Sequence, residues 1–328
     1  MRNLDLWINK YETRSKQIGQ EIKNYAQWLN TLKEDLMCLG LIQPPPVGEK
    51  KQYKACYVDG GEGLYELLGT AVYIVRAAGL IHEKPQARFI RDLDFDIIRH
   101  SDDTKEQVEL KRECMEIKIA EEAVNAGCDL IVLDGSLFVK NHKKPAQTKQ
   151  YDAYLKKFNR LMKKCREKNA SLVGVSEDTK SRLLINYLMQ EHEIDIPVNL
   201  TDASLLRLLA GDSSFLSGPF KPKTNQLTAA DYPTVYLQPT RLSNPLRIDF
   251  PPWEQNLEKI LSHLQFHSNA SKAYGYPLPL YLAHLESRIN PQHVKWTSKH
   301  LAKAAFREYP QICDAYMRTT RRNCRPGN

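Results

Sequence analysis

No run of about 18 or more apolar residues occurs in the 328-residue chain, which excludes a hydrophobic helical membrane span. The opening segment, MRNLDLWINKYETRSKQIGQEIKNY, lacks the apolar stretch of a secretory leader, so a cytoplasmic protein is expected. Cysteine is scarce. The seven residues (Cys38, Cys56, Cys114, Cys128, Cys165, Cys313 and Cys324) are odd in number and include no Cys-x-x-Cys pair. That spacing argues against a disulfide framework and against a zinc site. The cysteines read as small core or surface residues in a reducing compartment. Internal repeats and low-complexity tracts are also lacking.

What is present is ordinary for a soluble protein: 42% apolar and 26% charged residues, with length enough for one large domain or two modest ones. The formal net charge of +8 is compatible with a polyanionic partner. The charge is unevenly placed. Lys140, Lys143, Lys144 and Lys149 precede Lys156, Lys157, Lys163 and Lys164, and Arg318, Arg321, Arg322 and Arg325 crowd the end. The 140–164 cluster reads either as a phosphate-contacting surface or as a solvated helix face.

Apolar residues at helical spacing over 4–37 (Leu4, Ile8, Ile18, Ile22, Ala26, Leu29, Leu32, Leu36) predict one long or two consecutive amphipathic helices. Gln43-Pro44-Pro45-Pro46-Val47-Gly48 then breaks the chain. Residues 53–58 predict a buried strand that ends in a turn at Asp59-Gly60-Gly61. Residues 64–82 predict a long strand or a pair of strands, and 87–98 a half-exposed strand. Helices are expected at 104–126 and, basic and amphipathic, at 148–168. Strands are expected at 129–134 and 171–176. Helices near 179–191 and 201–210 follow, then a loop over 212–228, strands at 234–238 and 246–250, and helices at 253–268, 278–289 and 293–307. Strands, then strand–helix alternation, then strands again predict an α/β fold: a mixed sheet with helices on its faces and an N-terminal helical extension.

Two strands end alike, in Val58-Asp59-Gly60-Gly61 and Leu133-Asp134-Gly135-Ser136. An acid at the end of an apolar strand is held by rigid backbone, and a following glycine lets the chain turn or a ligand approach. Two such acids on neighbouring strands can converge on one divalent cation, and oxygen ligands suit Mg²⁺ or Mn²⁺. The competing reading is that each Asp-Gly merely makes a turn. A third acid is needed, and the helix over 104–126 offers several. Glu116 has Ile119 and Ala120 three and four positions on, which can set it at the core-facing edge. Glu113, flanked by Leu110 and Ile117, stays open, while Glu121 and Glu122 read as a solvated face.

These residues resemble a known family. Val58-Asp59-Gly60-Gly61, Arg112-x-x-Met115-Glu116 and Leu133-Asp134-Gly135-Ser136-Leu137 are similar to blocks of the NurA nucleases. Gly174-Val175-Ser176, Tyr236-Leu237, Arg247-Ile248-Asp249-Phe250-Pro251 and Gly275-Tyr276-Pro277-Leu278-Pro279-Leu280-Tyr281-Leu282-Ala283-His284 continue the series in family order. The resemblance implies an RNase H-like core and Mn²⁺- (or Mg²⁺-) dependent cleavage of single- and double-stranded DNA. It also implies 5′–3′ exonuclease and single-strand endonuclease activity in end resection and double-strand break repair, a homodimer, and a HerA-type hexameric ATPase as partner. Residues 1–46 would then be the helical extension, 47–310 the nuclease domain and 311–328 a basic tail. The family's metal-binding acids fall on Asp59, Glu116 and Asp134, and its Tyr and His on Tyr276 and His284. Two positions depart from the pattern: Gly61 stands where the family often has Ser. Glu177 stands where it has Lys, with Lys180 one helical turn away.

On this reading Asp59, Glu116 and Asp134 bind one or two divalent ions. His284 ligates the metal or moves a proton, against the alternative of a structural histidine. Tyr276 hydrogen-bonds the phosphate, stacks on a base, or simply packs beside Pro277. Arg112 orients Glu116, pairs with phosphate, or is a helix-surface partner. Arg247 and Asp249 read as the exposed face of a strand. Lys143, Lys144, Lys156 and Lys157 are the candidate DNA contacts, giving salt-sensitive binding with little sequence preference. Two other functions fit part of the pattern. One is a non-catalytic DNA-binding adaptor of a translocating ATPase. The other is a phosphatase or nucleotidase, which the long basic stretches disfavour.

Overall fold

The computed structural model describes residues 2–47, 53–67, 69–83, 86–99, 101–138, 149–177, 179–196, 200–211, 213–222, 232–270, 274–305 and 307. Their strands form one nine-stranded mixed sheet flanked by helices. Strands β2 (Ala55–Glu66), β3 (Thr70–Glu83) and β4 (Gln86–Arg99) make an antiparallel meander. Helix α2 (Thr104–Asn125) then leads to β5 (Leu130–Asp134), which lies parallel to β2, and α3 (Lys149–Glu167) leads to β6 (Ser171–Ser176), parallel to β5. This strand order is the RNase H-like arrangement the resemblance implies. Antiparallel β9 (Leu246–Asp249), β8 (Thr234–Gln238), β7 (Phe215–Phe220) and the short β1 (Ile42–Gln43) extend the sheet on the other side.

The sheet has helices on both faces, so its central strands are buried on both sides and read as continuous apolar runs. Alternation sorts their side chains. Cys56, Val58, Ile131, Leu133 and Leu172 pack towards α2 and α3, whereas Tyr57, Leu130, Val132, Val173 and Val175 pack towards α6 (Leu257–Ser268) and α7 (Leu278–Ser287). In α3 the buried residues Tyr151, Tyr154, Phe158, Leu161, Met162 and Cys165 recur at helical spacing, and Lys156, Lys157 and Lys163 stay outside.

Helix α1 (Arg2–Cys38) is one continuous helix of 37 residues, the first of the two arrangements expected. Among its described side chains the buried ones are at the C-terminal end, where Leu32 and Leu36 share a core cluster with residues of α4 (Leu183–Glu191) and α5 (Asp202–Ala210). Most of its other described side chains are exposed, Trp7 and Tyr11 included. Helix α8 (Pro291–Ala305) packs on β2 and β3.

Three sequence expectations need correction. Asp59-Gly60-Gly61 is no turn. Beyond Val58 strand β2 parts from β5 but stays in register with β3 as far as Glu66 opposite Ala71, and that ladder carries it straight through the glycines. The 64–82 stretch is accordingly the pair of strands, split near residue 69. The loop expected over 212–228 contains β7, whose Phe215, Leu216, Ser217 and Phe220 are buried between β1 and β8. Polar and proline-rich composition hid it. Finally, Arg247 and Asp249 do not face solvent, because the residues after β5 cover their face of β9: Ser136 and Leu137 bond Asp249, and the Arg247 guanidinium lies over the Phe138 ring.

Candidate metal centre

The parallel register of β2 and β5 runs to Val58 opposite Leu133, so Asp59 and Asp134 are the next residues on each strand. They sit side by side where the strands part. Both follow the parity of Tyr57 and Val132, so both side chains project towards α6 and α7. Gly135 follows Asp134 at a φ of 104°, a backbone angle that favours glycine, and turns the chain sharply away.

Helix α7 brings two groups to Asp59. The His284 imidazole lies with Nδ1 3.0 Å from Asp59 Oδ2, and the Ser287 hydroxyl donates to the same oxygen at 2.8 Å. The two residues are three apart on one helix face. Asp59 and Ser287 are buried and His284 is half exposed. The helix can come this close because position 61 has no side chain. A Cβ there would lie 2.3 Å from the Ser287 carbonyl oxygen. Just before α7, Tyr276 is buried, and its hydroxyl donates to Asp134 Oδ1 at 2.7 Å. The ring is therefore not free to stack on a base. It holds the carboxylate.

Glu116 reaches the same place from the other face. It leaves α2 and passes over Gly60, where a Cβ would lie 2.2 Å from Glu116 Oε1. The Arg112 guanidinium, one turn earlier, binds Glu116, Glu62 and Glu113. Orienting Glu116 is thus the role the geometry favours for Arg112. Burial, partly offset by Arg112 and reinforced by Glu113, Asp59 and Asp134, pushes the Glu116 carboxyl up from 4.5 to about 8. Burial and the neighbouring Asp59 likewise raise Asp134 well above the usual carboxylate range. A cavity of about 220 Å³ opens beside these acids, lined by Arg112, Glu113, Glu116, Asp134, Tyr154 and Phe158 among others.

One ligand atom from each of Asp59, Asp134 and His284 lies within 4.8 Å of the others. Two carboxylates and an imidazole suit Mn²⁺ or Mg²⁺ better than a thiolate-seeking ion. Three acids crowd beside one arginine, Asp59 and Glu116 buried and Asp134 partly so, and a divalent cation would stabilise their ionised forms, so the residues fit such an ion. His284 belongs to the group formed with Asp59 and Asp134, whereas Glu116 lies outside it and feels the two aspartates through their charge.

Two positioning residues escaped the sequence reading. Ser287 could have been found from its helical spacing to His284. Asp249 is fully buried: it accepts from the Ser136 hydroxyl at 2.8 Å and the Leu137 N–H at 3.3 Å, and pairs with Arg247 at 3.2 Å. It therefore holds the loop that follows Asp134, and Gly174 lets that loop pass over β6, since a Cβ there would lie 2.6 Å from the Gly135 carbonyl oxygen. Glu122 is exposed as expected, but Glu121 is buried and takes a two-pronged bond from Arg160 at 2.6 and 2.7 Å. Lys156 and Lys157 are exposed on α3, with Lys157 lining a second cavity of about 460 Å³ between α2, α3 and β4. Lys143 and Lys144, like the basic tail at 311–328, lie outside the described residues. Lys180 is exposed, and Glu177 accepts from the Tyr274 hydroxyl at 2.7 Å. Among the described residues the cysteines are free.

Fold and site together define a mixed α/β protein with a carboxylate–histidine centre of divalent-metal type at the parting of two parallel strands. The NurA domain model matches residues 54–289, and the chain belongs to that family. Similar solved structures agree in fold. The NurA nuclease from Sulfolobus solfataricus is 19% identical, with 90% of this chain and 98% of that one covered at a TM-score of 0.64. A NurA bound to dAMP and manganese is 14% identical, covering 88% and 97% at 0.55. A NurA with manganese is 13% identical, covering 90% and 98% at 0.55. No curated protein sequence matches the chain. Among the described residues no helix is long and apolar enough to cross a membrane.

Proposed function

We propose that the protein is a metal-dependent nuclease that hydrolyses DNA phosphodiesters. The observation that carries this reading is the convergence of Asp59, Asp134 and His284, with Glu116 nearby, where the central strands β2 and β5 part. Asp59, Asp134 and His284 would hold Mn²⁺ or Mg²⁺, with Glu116 completing the set. When bound, such an ion polarises a phosphate oxygen and lowers the pKa of water. The chain's own groups prepare the site. Tyr276 fixes the direction of Asp134, Ser287 fixes Asp59, and Arg112 fixes Glu116. With Nδ1 donating to Asp59, His284 keeps the lone pair on Nε2 as its free ligand atom. The exposed lysines of α3, Lys156 and Lys157 among them, would track the phosphate backbone without reading sequence.

The finer reading rests on family membership. It comprises 5′–3′ exonuclease and single-strand endonuclease activity in end resection, as a homodimer working with a HerA-type ATPase. Cleavage of end-labelled linear DNA in Mn²⁺, Mg²⁺ or EDTA, with Asp134→Asn alongside, tests the central claim. Cutting is expected with either metal and not in EDTA, and the variant should lose it. A wild type that binds DNA but cuts in no metal, even with its ATPase supplied, would replace the enzyme with a DNA-binding adaptor.

A further inference from the structure

Resting on the nuclease reading, the geometry points to Tyr274 as a stacking platform for one unpaired nucleobase beside the phosphate to be cut. Tyr276 is excluded from that role because it is 3% exposed and its hydroxyl is committed to Asp134. Tyr274, two residues earlier, is 42% exposed. Its ring leans on Tyr276 at 5.5 Å between centroids and meets Tyr281 edge-on, also at 5.5 Å. Its hydroxyl is tied to Glu177. An aromatic ring buttressed on two sides and anchored at its tip is already ordered, so stacking on it costs little further conformational freedom.

Charge selects what the ring receives. Glu177, bonded to the tip of Tyr274, makes this rim negative, which repels a bare backbone phosphate at the ring and leaves the neutral face of a base as the fitting partner. Every base has such a face, so the contact is sequence-tolerant. A base inside a duplex is already stacked on its neighbours. The nucleotide held here is therefore unpaired, in a single strand or at a frayed end.

The test uses the full chain, a single-stranded oligonucleotide carrying one 2-aminopurine, and bis(p-nitrophenyl) phosphate as a diester without a base. Tyr274→Leu keeps apolar bulk and loses the π-face, while Tyr274→Phe keeps the ring and loses the bond to Glu177. Tyr274→Leu should raise KM on the oligonucleotide by roughly 5- to 100-fold with kcat little changed. It should hydrolyse the baseless diester at the wild-type rate, and Tyr274→Phe should match the wild type on both. With Ca²⁺ in place of Mn²⁺, the wild type should quench 2-aminopurine fluorescence and Tyr274→Leu should not. The platform is overturned if Tyr274→Leu leaves KM and quenching unchanged, if the wild type does not quench, or if both variants slow the baseless diester equally. That last result would make Tyr274 a support for Tyr276. Tyr274-dependent quenching by a wild type that cuts DNA in no metal would instead sink the nuclease reading and keep the platform.

Discussion

Gly61→Ala is the substitution whose outcome the structure states most sharply. A Cβ at position 61 would lie 2.3 Å from the Ser287 carbonyl oxygen and 3.0 Å from the Ser287 carbonyl carbon. Both are backbone atoms of the last residue of α7, so no rotamer change relieves the contact. To restore an ordinary separation the end of α7 must retreat by about 1 Å. Overpacking of this kind costs about 1–3 kcal/mol, which is roughly 2–12 °C in Tm for a domain of this size. The larger effect should be on function, because the same helix holds His284 and Ser287 against Asp59. A shift near 1 Å in such a group can lower the rate on the order of 100-fold. Gly60→Ala is the internal comparison. Its Cβ points to the opposite face and meets the tip of Glu116, at 2.2 Å, and the stem of Arg112, at 2.9 Å. That variant should disturb Glu116 and leave α7 in place. Thermal melts with Mn²⁺ titrations of cleavage would separate the two. A Gly61→Ala protein with unchanged Tm and unchanged cleavage would refute the account of how α7 is seated.

Three further outcomes follow from the same geometry. Ser287→Ala removes one donor to Asp59 Oδ2, and loss of such a supporting bond should weaken Mn²⁺ activation roughly 10- to 100-fold, read from the metal dependence of cleavage. Asp249→Ala leaves the buried Arg247 guanidinium without its partner, so chemical denaturation should show a loss of about 3–5 kcal/mol together with a weaker metal response. The metal-free protein should lose stability as pH rises from 4.5 towards 8, because the raised Glu116 carboxyl makes the folded chain hold more protons than the unfolded one across that window. Melting temperatures should fall across it in EDTA and fall less in Glu116→Gln. Equal slopes in the two proteins would contradict the assignment.

Most of the elements were legible because their periodicity is strong. Helix α2 and strand β5 announce themselves by their apolar patterns, and Asp59 and Asp134 by the glycines after them. What the sequence could not reveal was which side of those glycines mattered. Asp-Gly-Gly at 59–61 has the composition of a turn, yet its glycines serve close approach on both faces of one straight strand. That depends on how far the β2–β3 ladder runs, which is a property of pairing and not of the residues themselves. Asp249 was misread for a related reason. Alternating Arg247 and Asp249 look like a half-exposed strand until Ser136, Leu137 and Phe138 are known to cover that face of β9. Strand β7 was missed because its Ser217, Gly218 and Pro219 break the apolar pattern, although their neighbours are buried. Tyr276 shows the converse. The motif singles it out, but only its 3% exposure and its bond to Asp134 turn a stacking candidate into a holder of that carboxylate.

The two faces of the sheet explain why the centre needs glycine at all. Asp59 and Asp134 project to the α7 side, while Glu116 belongs to a helix packed on the opposite side. A sheet with side chains at every position would keep these groups about a sheet-to-helix spacing apart. At Gly60 that barrier is missing, so the Glu116 carboxylate settles against the bare strand, near enough for the charges of Asp59 and Asp134 to raise it. At Gly61 the opposite helix comes close enough to bond Asp59 twice. Burial then raises Glu116 and Asp134 together, so the assembled acids resist full ionisation until a cation joins them. Metal binding and proton release are therefore coupled at this site, and apparent Mn²⁺ affinity should rise with pH through the neutral range. A centre whose affinity stayed flat from pH 6 to pH 8 would have to hold its metal with groups other than these.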